Sequence, residues 1–206
     1  FIREKIINHF DIEKDGKKPF KDIKLIDIGC GGGLLSEPMA KLGANVTGLD
    51  VVEKNIKTAS AHAISQGLKI NYVHSTIEKL SEKDEKFDVI LNMEVIEHVS
   101  DVSLFINSCN KILSPNGIMI FASLNRTLIA YGLAIIGVEY ILGWLPKGTH
   151  DWSKFITPDE LKILFSSNGL KVDEIIGMKY NPLFDSWKRS KDLSVNYLGV
   201  SSKINS

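Results

Sequence analysis

KLIDIGCGGGLLSEPMAKLG, residues 24–43, joins a predicted strand to a predicted helix through a turn that is rich in glycine. The apolar run 24–29 is typical of a buried strand, and the run 34–43 is typical of a helix that ends at Gly43. Glycines at such a turn let the backbone approach a ligand closely, and the first turn of the helix offers free N–H groups. The stretch therefore predicts a ligand-binding turn of an α/β fold, with a plain tight turn as the alternative.

Short apolar runs alternate with longer helical stretches on the C-terminal side of this turn. Strands are predicted at 45–50, 69–74, 87–93 and 118–124, and helices at 53–66 and 101–113. This alternation predicts a parallel sheet that is covered by helices on both faces. In the last third, a predicted helix at 158–168 precedes two strands near 171–180 and 194–199. Because only a loop separates those two strands, we expect an antiparallel hairpin at the sheet edge.

The composition indicates a single globular domain over residues 1–206. Hydrophobic residues make up 44% of the chain, and 25 basic residues balance 25 acidic ones. A protein that binds nucleic acid usually shows a basic excess or a basic stripe. The short run 188–191, Lys-Arg-Ser-Lys, is interpreted as a solvated loop. We therefore expect no nucleic-acid partner.

The cysteine content bears on the cellular compartment. The chain has two cysteines and no visible signal peptide, which favours a reducing, cytoplasmic environment. Because Phe1 lies inside a predicted helix, we expect a further N-terminal segment to precede it.

The spacing of the glycines separates two classes of cofactor. A dinucleotide-binding loop reads G-x-G-x-x-G, and this chain has Gly29 and Gly31 but Leu34 at the last position. The spacing through Gly33 suits S-adenosylmethionine, which has no pyrophosphate. Asp50 ends the second predicted strand, where a carboxylate can accept both hydroxyls of a ribose, although capping of the next helix is the alternative. We therefore expect S-adenosylmethionine rather than NAD.

Acidic residues and a histidine follow the fourth predicted strand in NMEVIEHV, residues 92–99. Glu94, Glu97 and His98 are spaced i, i+3 and i+4, so they share one face if this turn is helical. Such a set could hold a divalent cation, with a preference for Mg²⁺ or Mn²⁺. In the alternative interpretation, Glu97 and His98 bond loop backbone. His98 could also act as a general base, because its side chain titrates nearest to neutrality.

Longer stretches of the chain resemble the ubiquinone-biosynthesis O-methyltransferases. The resembling stretches are 25–50, FDVILNMEVIEHVSDV (87–102), LNRT (124–127), VEYILGWLPKGTHDWSKFITPDEL (138–161), YNPL (180–183) and VNY (195–197). Members of that family are class I S-adenosylmethionine-dependent enzymes that methylate polyprenylated catechol-type rings. The resemblance implies a Rossmann-like α/β fold with a mostly parallel seven-strand sheet in the order 3-2-1-4-5-7-6, whose strand 7 is antiparallel.

The resemblance also implies roles for particular residues. The family's cofactor contacts fall on Gly29, Asp50 and Met93, beside Gly31 of the glycine loop. Eukaryotic members hold Mg²⁺ with residues that match Glu94, Glu97 and His98. On this basis Glu97 and His98 are the candidate catalytic residues, because a metal or a base would help the acceptor phenol to lose its proton. There are two alternatives to an enzyme that methylates a polyprenylated ring. One is an O-methyltransferase for a soluble small molecule, and the other is a membrane-surface assembly factor.

An apolar segment, residues 128–145, carries Glu139 as its only charged residue. It is shorter than the about 20 apolar residues that a transmembrane helix needs. Tyr140 and Trp144 are residue types that favour a membrane interface. We therefore expect an insertion at 126–150 that acts as a lid on the membrane, with a buried core helix as the alternative.

The lid hypothesis places the protein at a membrane. A polyprenyl catechol or hydroquinol would stay in the bilayer, because each CH₂ moved from lipid into water costs about 0.8 kcal/mol. We expect the enzyme to be cytoplasmic and peripheral at the inner face of a bacterial cytoplasmic membrane. Other ubiquinone-biosynthesis proteins are possible partners, and His150, which follows the apolar segment, could face the active site.

Overall fold

The computed structural model of the protein describes residues 1–14, 16–130, 154–181 and 186–204. Its strands are β1 (Lys24–Ile28), β2 (Asn45–Asp50), β3 (Asn71–His74), β4 (Phe87–Met93), β5 (Leu113–Leu124), β6 (Leu170–Asn181), β7 (Ser186–Ser190) and β8 (Asn196–Lys203). Within these residues the eight strands form one sheet in the order β3-β2-β1-β4-β5-β8-β6-β7. The strands from β1 to β5 are parallel, and β8 is antiparallel to both β5 and β6.

Helices cover both faces of this sheet. They are α1 (Ile2–His9), α2 (Ser36–Lys41), α3 (Glu53–Ser65), α4 (Ile77–Leu80), a 3₁₀ turn (Ile96–His98), α5 (Val102–Ile112), α6 (Leu128–Ala130) and α7 (Pro158–Ser167). Because successive strand residues point to opposite faces, each strand contributes to two separate apolar clusters. The core on one face includes Phe105, Phe121 and Phe165, and that on the other includes Ile6 and Phe20.

Local hydrogen bonds fix the start of the two helices that flank the candidate site. The Asp101 side chain accepts a 2.9 Å hydrogen bond from the Leu104 N–H at the start of α5. At the start of α7, Thr157 and Glu160 form a capping box, and Pro158 occupies the first turn. Such caps satisfy N–H groups that the helix itself leaves unpaired, so they hold α5 and α7 in place beside the sheet.

The predicted α/β fold and strand order are confirmed, with one strand more than the sequence predicted. The last two predicted strands correspond to β6 and β8, which do pair antiparallel, but β7 lies between them along the chain. β5 begins at Leu113 rather than at residue 118, because the register of its pairing with β4 shifts there and the intervening turn-like residues stay extended.

The structure tests only part of the predicted apolar insertion. Residues 131–153, which include Glu139, Tyr140, Trp144 and His150, lie outside the described residues. Among the described residues, no helix has the length and apolar character needed to cross a bilayer. The lid at 126–150 therefore stays a prediction.

Candidate active site

The glycine loop adopts a backbone that only glycine accepts without strain. Gly29, Gly31 and Gly33 all have positive φ, at 69°, 52° and 87°. A Cβ on Gly29 would also lie 2.6 Å from the Val95 side chain, and a Cβ on Gly33 would collide with the Tyr72 hydroxyl. Apart from its chain neighbours, no atom of the described residues lies within 4 Å of the Cβ position of Gly31. The loop is therefore packed tightly on two sides and open at its middle glycine.

Asp50 at the end of β2 is tied to this loop. One oxygen of its carboxylate accepts a 2.9 Å hydrogen bond from the Gly31 N–H. The other accepts from the Val52 N–H at 2.8 Å and from the Asn55 amide at 3.3 Å. Asp50 thus bonds the residue before α3 and the Asn55 side chain without capping the helix, and it lies at the tip of β2 beside the loop.

A cavity of about 610 Å³ opens along this edge of the sheet. Its polar lining consists of Asp50, Asn55, Ser75, Thr76, Glu78, Glu94, His98, Ser100 and Asp101, beside the backbone of Gly29. Met93 does not line it, because its side chain packs on the core at the opposite face of the sheet. We call this the first cavity. Two of the predicted cofactor residues, Gly29 and Asp50, line it. A third, Gly31, is hydrogen-bonded to Asp50.

The turn after β4 does not place the predicted metal ligands on one helical face. Glu94 has a left-handed backbone with φ 57°, and its N–H donates to the Ala122 carbonyl at 2.9 Å. The residues that follow form a 3₁₀ turn, so the i, i+3, i+4 geometry of an α-helix does not apply. Glu94 and His98 are exposed toward the first cavity, whereas Glu97 is buried.

The arrangement of this turn does not support the magnesium site expected from the sequence, and that site stays a prediction. Across the described ranges, no group of three or more His, Cys, Asp or Glu side chains is placed to hold a metal ion. The cause is the direction of Glu97, whose carboxylate accepts a 3.0 Å hydrogen bond from the Ser123 hydroxyl inside the protein. The side chains of Glu94, Glu97 and His98 are therefore not arranged as three ligands of one metal ion.

A second cavity of about 760 Å³ lies on the other side of the 3₁₀ turn. Its walls are mostly apolar: Ile96, Val99, Val102, Phe155, Ile156, Ile163 and Leu164. Glu97, Arg126, Lys154 and Glu160 supply its charged groups, and Arg126 and Glu160 form an ion pair with each other. The two cavities have Val99 and Ser100 in common, so they adjoin at this turn.

Glu97 has an unusual environment for a carboxylate. Burial raises the pKa of its side chain to about 7, and the nearby charge of Glu94 acts in the same direction. Within the described chain, its second oxygen has no hydrogen-bond partner, and neither does either amide atom of the buried Asn92. Buried polar atoms without partners are rare and usually mark a site that a water or ligand completes. Glu97 is therefore a carboxyl that can gain or lose a proton near neutral pH.

Sequence reasoning missed several residues that shape the site. Asp27 is buried below the glycine loop, where burial raises its pKa to about 6 and the Ser36 hydroxyl donates to it at 2.6 Å. Tyr72 supports Gly33 from β3. Arg126 and Glu160 are 34 positions apart, so only the fold brings them together. Of these residues, only Asp27 could have been noticed in the sequence, because it lies two positions before Gly29 at the start of the glycine loop.

Comparisons with known proteins agree with this architecture. A family model described as a methyltransferase domain matches residues 26–121. Two solved structures share the fold. One, an S-adenosylmethionine-dependent methyltransferase from Clostridium acetobutylicum, has TM-score 0.70 and 15% identity, and the match covers 99% of this chain and 89% of that one. The other, magnesium protoporphyrin IX methyltransferase from Synechocystis with bound SAH, has TM-score 0.65 and 20% identity over 98% of this chain and 82% of that one.

The similarity to a sequence relative is much higher. A ubiquinone biosynthesis O-methyltransferase from Bartonella bacilliformis is 56% identical over 198 residues, which are 96% of this chain and 80% of that protein. The chain therefore belongs to the ubiquinone biosynthesis O-methyltransferase family.

Proposed function

We propose that this protein transfers the methyl group of S-adenosylmethionine to a phenol oxygen of a polyprenylated catechol or hydroquinol in ubiquinone biosynthesis. The observation that carries the proposal is the pair of adjoining cavities at the 3₁₀ turn, in a chain of this family. The first cavity adjoins the glycine loop and includes Asp50 and Asn55, which can bond a nucleoside, and the second has apolar walls beside Glu97 that suit a substituted ring.

The first cavity is assigned to the cofactor. Gly31 leaves room for the amino-acid part, and Asp50 would accept the ribose hydroxyls. Met93 at the end of β4 stays a predicted cofactor contact, although its side chain packs on the core at the other face of the sheet. The exposed Leu34 stands where a dinucleotide loop needs its last glycine, which disfavours NAD. When bound, S-adenosylmethionine supplies an electrophilic methyl group on a sulfonium.

The second cavity is assigned to the acceptor ring. A phenol has a pKa near ~10, so a base must take its proton as the oxygen is methylated. Glu97 borders this cavity, and its pKa of about 7 leaves a substantial carboxylate fraction at neutral pH. We assign the proton transfer to Glu97. His98 is the second candidate base, on the side of the first cavity.

No step is assigned to a metal ion. The resemblance implied Mg²⁺ at Glu94, Glu97 and His98, but the described donors point into different cavities. The proposal therefore expects methyl transfer to continue in EDTA. A requirement for added Mg²⁺ would mean that the turn rearranges to collect these ligands when substrates bind.

The proposal places the reaction at a membrane surface. The acceptor's polyprenyl tail belongs in lipid, and the insertion at 126–150 would let the second cavity open toward the bilayer. The chain leads directly into that insertion from β5, next to Arg126 of the second cavity. Peripheral attachment at the inner face of the cytoplasmic membrane follows from this, as does access to other enzymes of the pathway.

A methyl-transfer assay tests the proposal. Purified protein is mixed with S-adenosylmethionine labelled in its methyl group and with catechols that either carry or lack a prenyl tail, in Mg²⁺ and in EDTA. Labelled O-methyl product is expected from both acceptors, with a lower KM for the tailed one. Transfer to neither catechol would refute the proposal, and equal KM values would favour a soluble acceptor.

A further inference from the structure

Among the described residues, the second cavity has one cationic side chain without an anionic partner. Four charged residues line this cavity: Glu97, Arg126, Lys154 and Glu160. Arg126 and Glu160 form an ion pair with each other, and Glu97 accepts a 3.0 Å hydrogen bond from the Ser123 hydroxyl. Lys154 is exposed and forms no ion pair or side-chain hydrogen bond within the described part of the chain. Its ammonium group is therefore available to a ligand of this cavity.

The other cation of the cavity, Arg126, is already engaged by the protein. It donates a 3.3 Å hydrogen bond to the Phe155 carbonyl in addition to its ion pair with Glu160. Glu160 in turn accepts hydrogen bonds of 2.9 Å from the backbone N–H and the hydroxyl of Thr157. These contacts hold the Arg126 side chain in one place and balance its charge. Lys154, with three N–H donors, is therefore the better candidate to bind an anionic ligand.

The backbone beside Lys154 is attached to the same strand pair that orients Glu97. Ser123 on β5 is paired with Tyr197 on β8. The Ser123 hydroxyl donates to Glu97, and the Tyr197 hydroxyl donates to the Ile156 carbonyl at 2.8 Å. Because Ile156 lies only two positions after Lys154, the two charged residues are attached to one point of the sheet. A ligand that fills the cavity therefore meets both Glu97 and Lys154.

The rest of the cavity wall is mostly apolar and includes Val102, Ile156 and Leu164. Such a wall accepts an aromatic ring, but its side chains form no hydrogen bonds with the oxygen substituents of that ring. Those oxygens must then be met by the charged groups of the cavity. Glu97 is assigned to the hydroxyl that loses its proton. An ammonium group suits an oxygen that carries negative charge, because charge-assisted hydrogen bonds are roughly twice as strong as neutral ones.

We propose that Lys154 binds an anionic oxygen on the acceptor ring, so that the enzyme selects acceptors by this charge. Two sources supply the same chemistry, a carboxylate on the ring and the second ring hydroxyl in its ionised form. Lys154 holds the acceptor without taking its proton, because an ammonium group has no acceptor lone pair. The inference rests on the proposed function for the class of ring that enters the cavity. In the competing interpretation, Lys154 only extends its charge into water.

Initial rates with two pairs of tailless acceptors test the proposal and separate the two sources. A lower KM for 3,4-dihydroxybenzoate than for 3,4-dihydroxybenzamide, by ~tenfold, indicates a ring carboxylate. A similarly lower KM for 4-nitrocatechol, which ionises near neutral pH, than for catechol indicates the second hydroxyl. Lys154→Met keeps an apolar stem but no charge, so it should remove the preference through KM and change kcat by less than ~twofold. Lys154→Arg should retain the preference.

Lys162→Met is the matched control, because Lys162 on α7 pairs with Asp159 at 3.1 Å and is not among the described residues that line the cavity. Calorimetry of the same acceptors with S-adenosylhomocysteine present measures binding without methyl transfer, and Lys154→Met should weaken binding of the preferred anion ~tenfold. Binding that depends on Lys154 without any methyl transfer would count against the proposed function alone. Anionic acceptors that bind no better than their neutral counterparts, or a preference that survives Lys154→Met, would refute the role of Lys154.

Discussion

The hydroxyl of Ser123 donates a 3.0 Å hydrogen bond to the carboxylate of Glu97, and this contact turns Glu97 away from Glu94 and His98. Ser123 lies near the end of β5, and Glu97 lies in the 3₁₀ turn after β4. The contact therefore joins the 3₁₀ turn, which lines the second cavity, to the end of β5. As a consequence the three predicted metal ligands are divided: Glu97 lines the second cavity, and Glu94 and His98 line the first.

The raised pKa of Glu97 has a measurable effect on stability. Because its pKa is about 7 in the folded protein and near 4.5 in the unfolded chain, the stability that it contributes below pH 4.5 is lost as the pH rises through 7. The free energy of unfolding of the wild type relative to Glu97→Gln should fall by up to about 3 kcal/mol between pH 5 and pH 8. Urea denaturation at several pH values measures this difference. Glu94→Gln is the matched control, because that side chain is exposed, and a wild type that gains stability relative to Glu97→Gln would contradict the account.

The same residue should control the pH profile of the reaction. With Glu97 as the base, kcat/KM for the catechol should rise as the pH increases toward about 7 and then level off. Glu97→Gln should remove this rise and lower kcat by about 10²-fold or more. The measurement is a pH series of initial rates with both proteins. If His98→Gln removes the rise while Glu97→Gln keeps it, His98 is the base.

Two substitutions on α5 separate the cavities. Leu104 borders only the first cavity and Val102 only the second. Leu104→Trp should therefore weaken S-adenosylmethionine binding, while Val102→Trp should raise the KM for the acceptor and leave the cofactor Kd unchanged. Calorimetry and initial rates measure the two effects. An acceptor KM that responds to Leu104→Trp alone would mean that the cavities are assigned wrongly.

Substitution by alanine should affect stability differently at Gly33 and at Gly31. Both have positive φ, which costs an alanine about 1–2 kcal/mol, but only Gly33 faces a neighbouring atom, the Tyr72 hydroxyl. Gly33→Ala should destabilise the protein more than Gly31→Ala does. Adding Tyr72→Phe should recover part of the loss at Gly33 and none of the loss at Gly31. Equal losses, without recovery, would show that Tyr72 does not restrict the loop. Thermal denaturation of the variants makes the comparison.

The sequence predicted the fold well where the hydrophobic pattern is local. The strand predicted at 45–50 matches β2 to the residue, because Gly43 after α2 and Asp50 delimit it. β7 was not predicted, since its residues Ser186–Ser190 are mostly polar and exposed and carry no apolar alternation. Its pairing with β6 depends on cross-strand contacts, which a pattern in one segment does not reveal.

The site was predicted less completely, for a related reason. Gly29 and Asp50 follow strands of a parallel sheet, so their position at one edge follows from the topology. The direction of Glu97 does not, because it depends on Ser123, 26 positions away along the chain. The i, i+3, i+4 argument assumed an α-helical turn, and the left-handed backbone of Glu94 breaks that turn at its first residue.

The central claim is that S-adenosylmethionine, held by Asp50 in the first cavity, is the methyl donor. Isothermal titration calorimetry of the wild type with S-adenosylmethionine and with NADH tests it most directly, with Asp50→Ala as the variant and Asp50→Asn as the isosteric control. S-adenosylmethionine should bind more tightly than NADH, and Asp50→Ala should weaken its binding by about 1.5–3 kcal/mol, the range for hydrogen bonds to a charged group. Tighter binding of NADH, or an unchanged Kd for S-adenosylmethionine in a folded Asp50→Ala variant, would contradict the account.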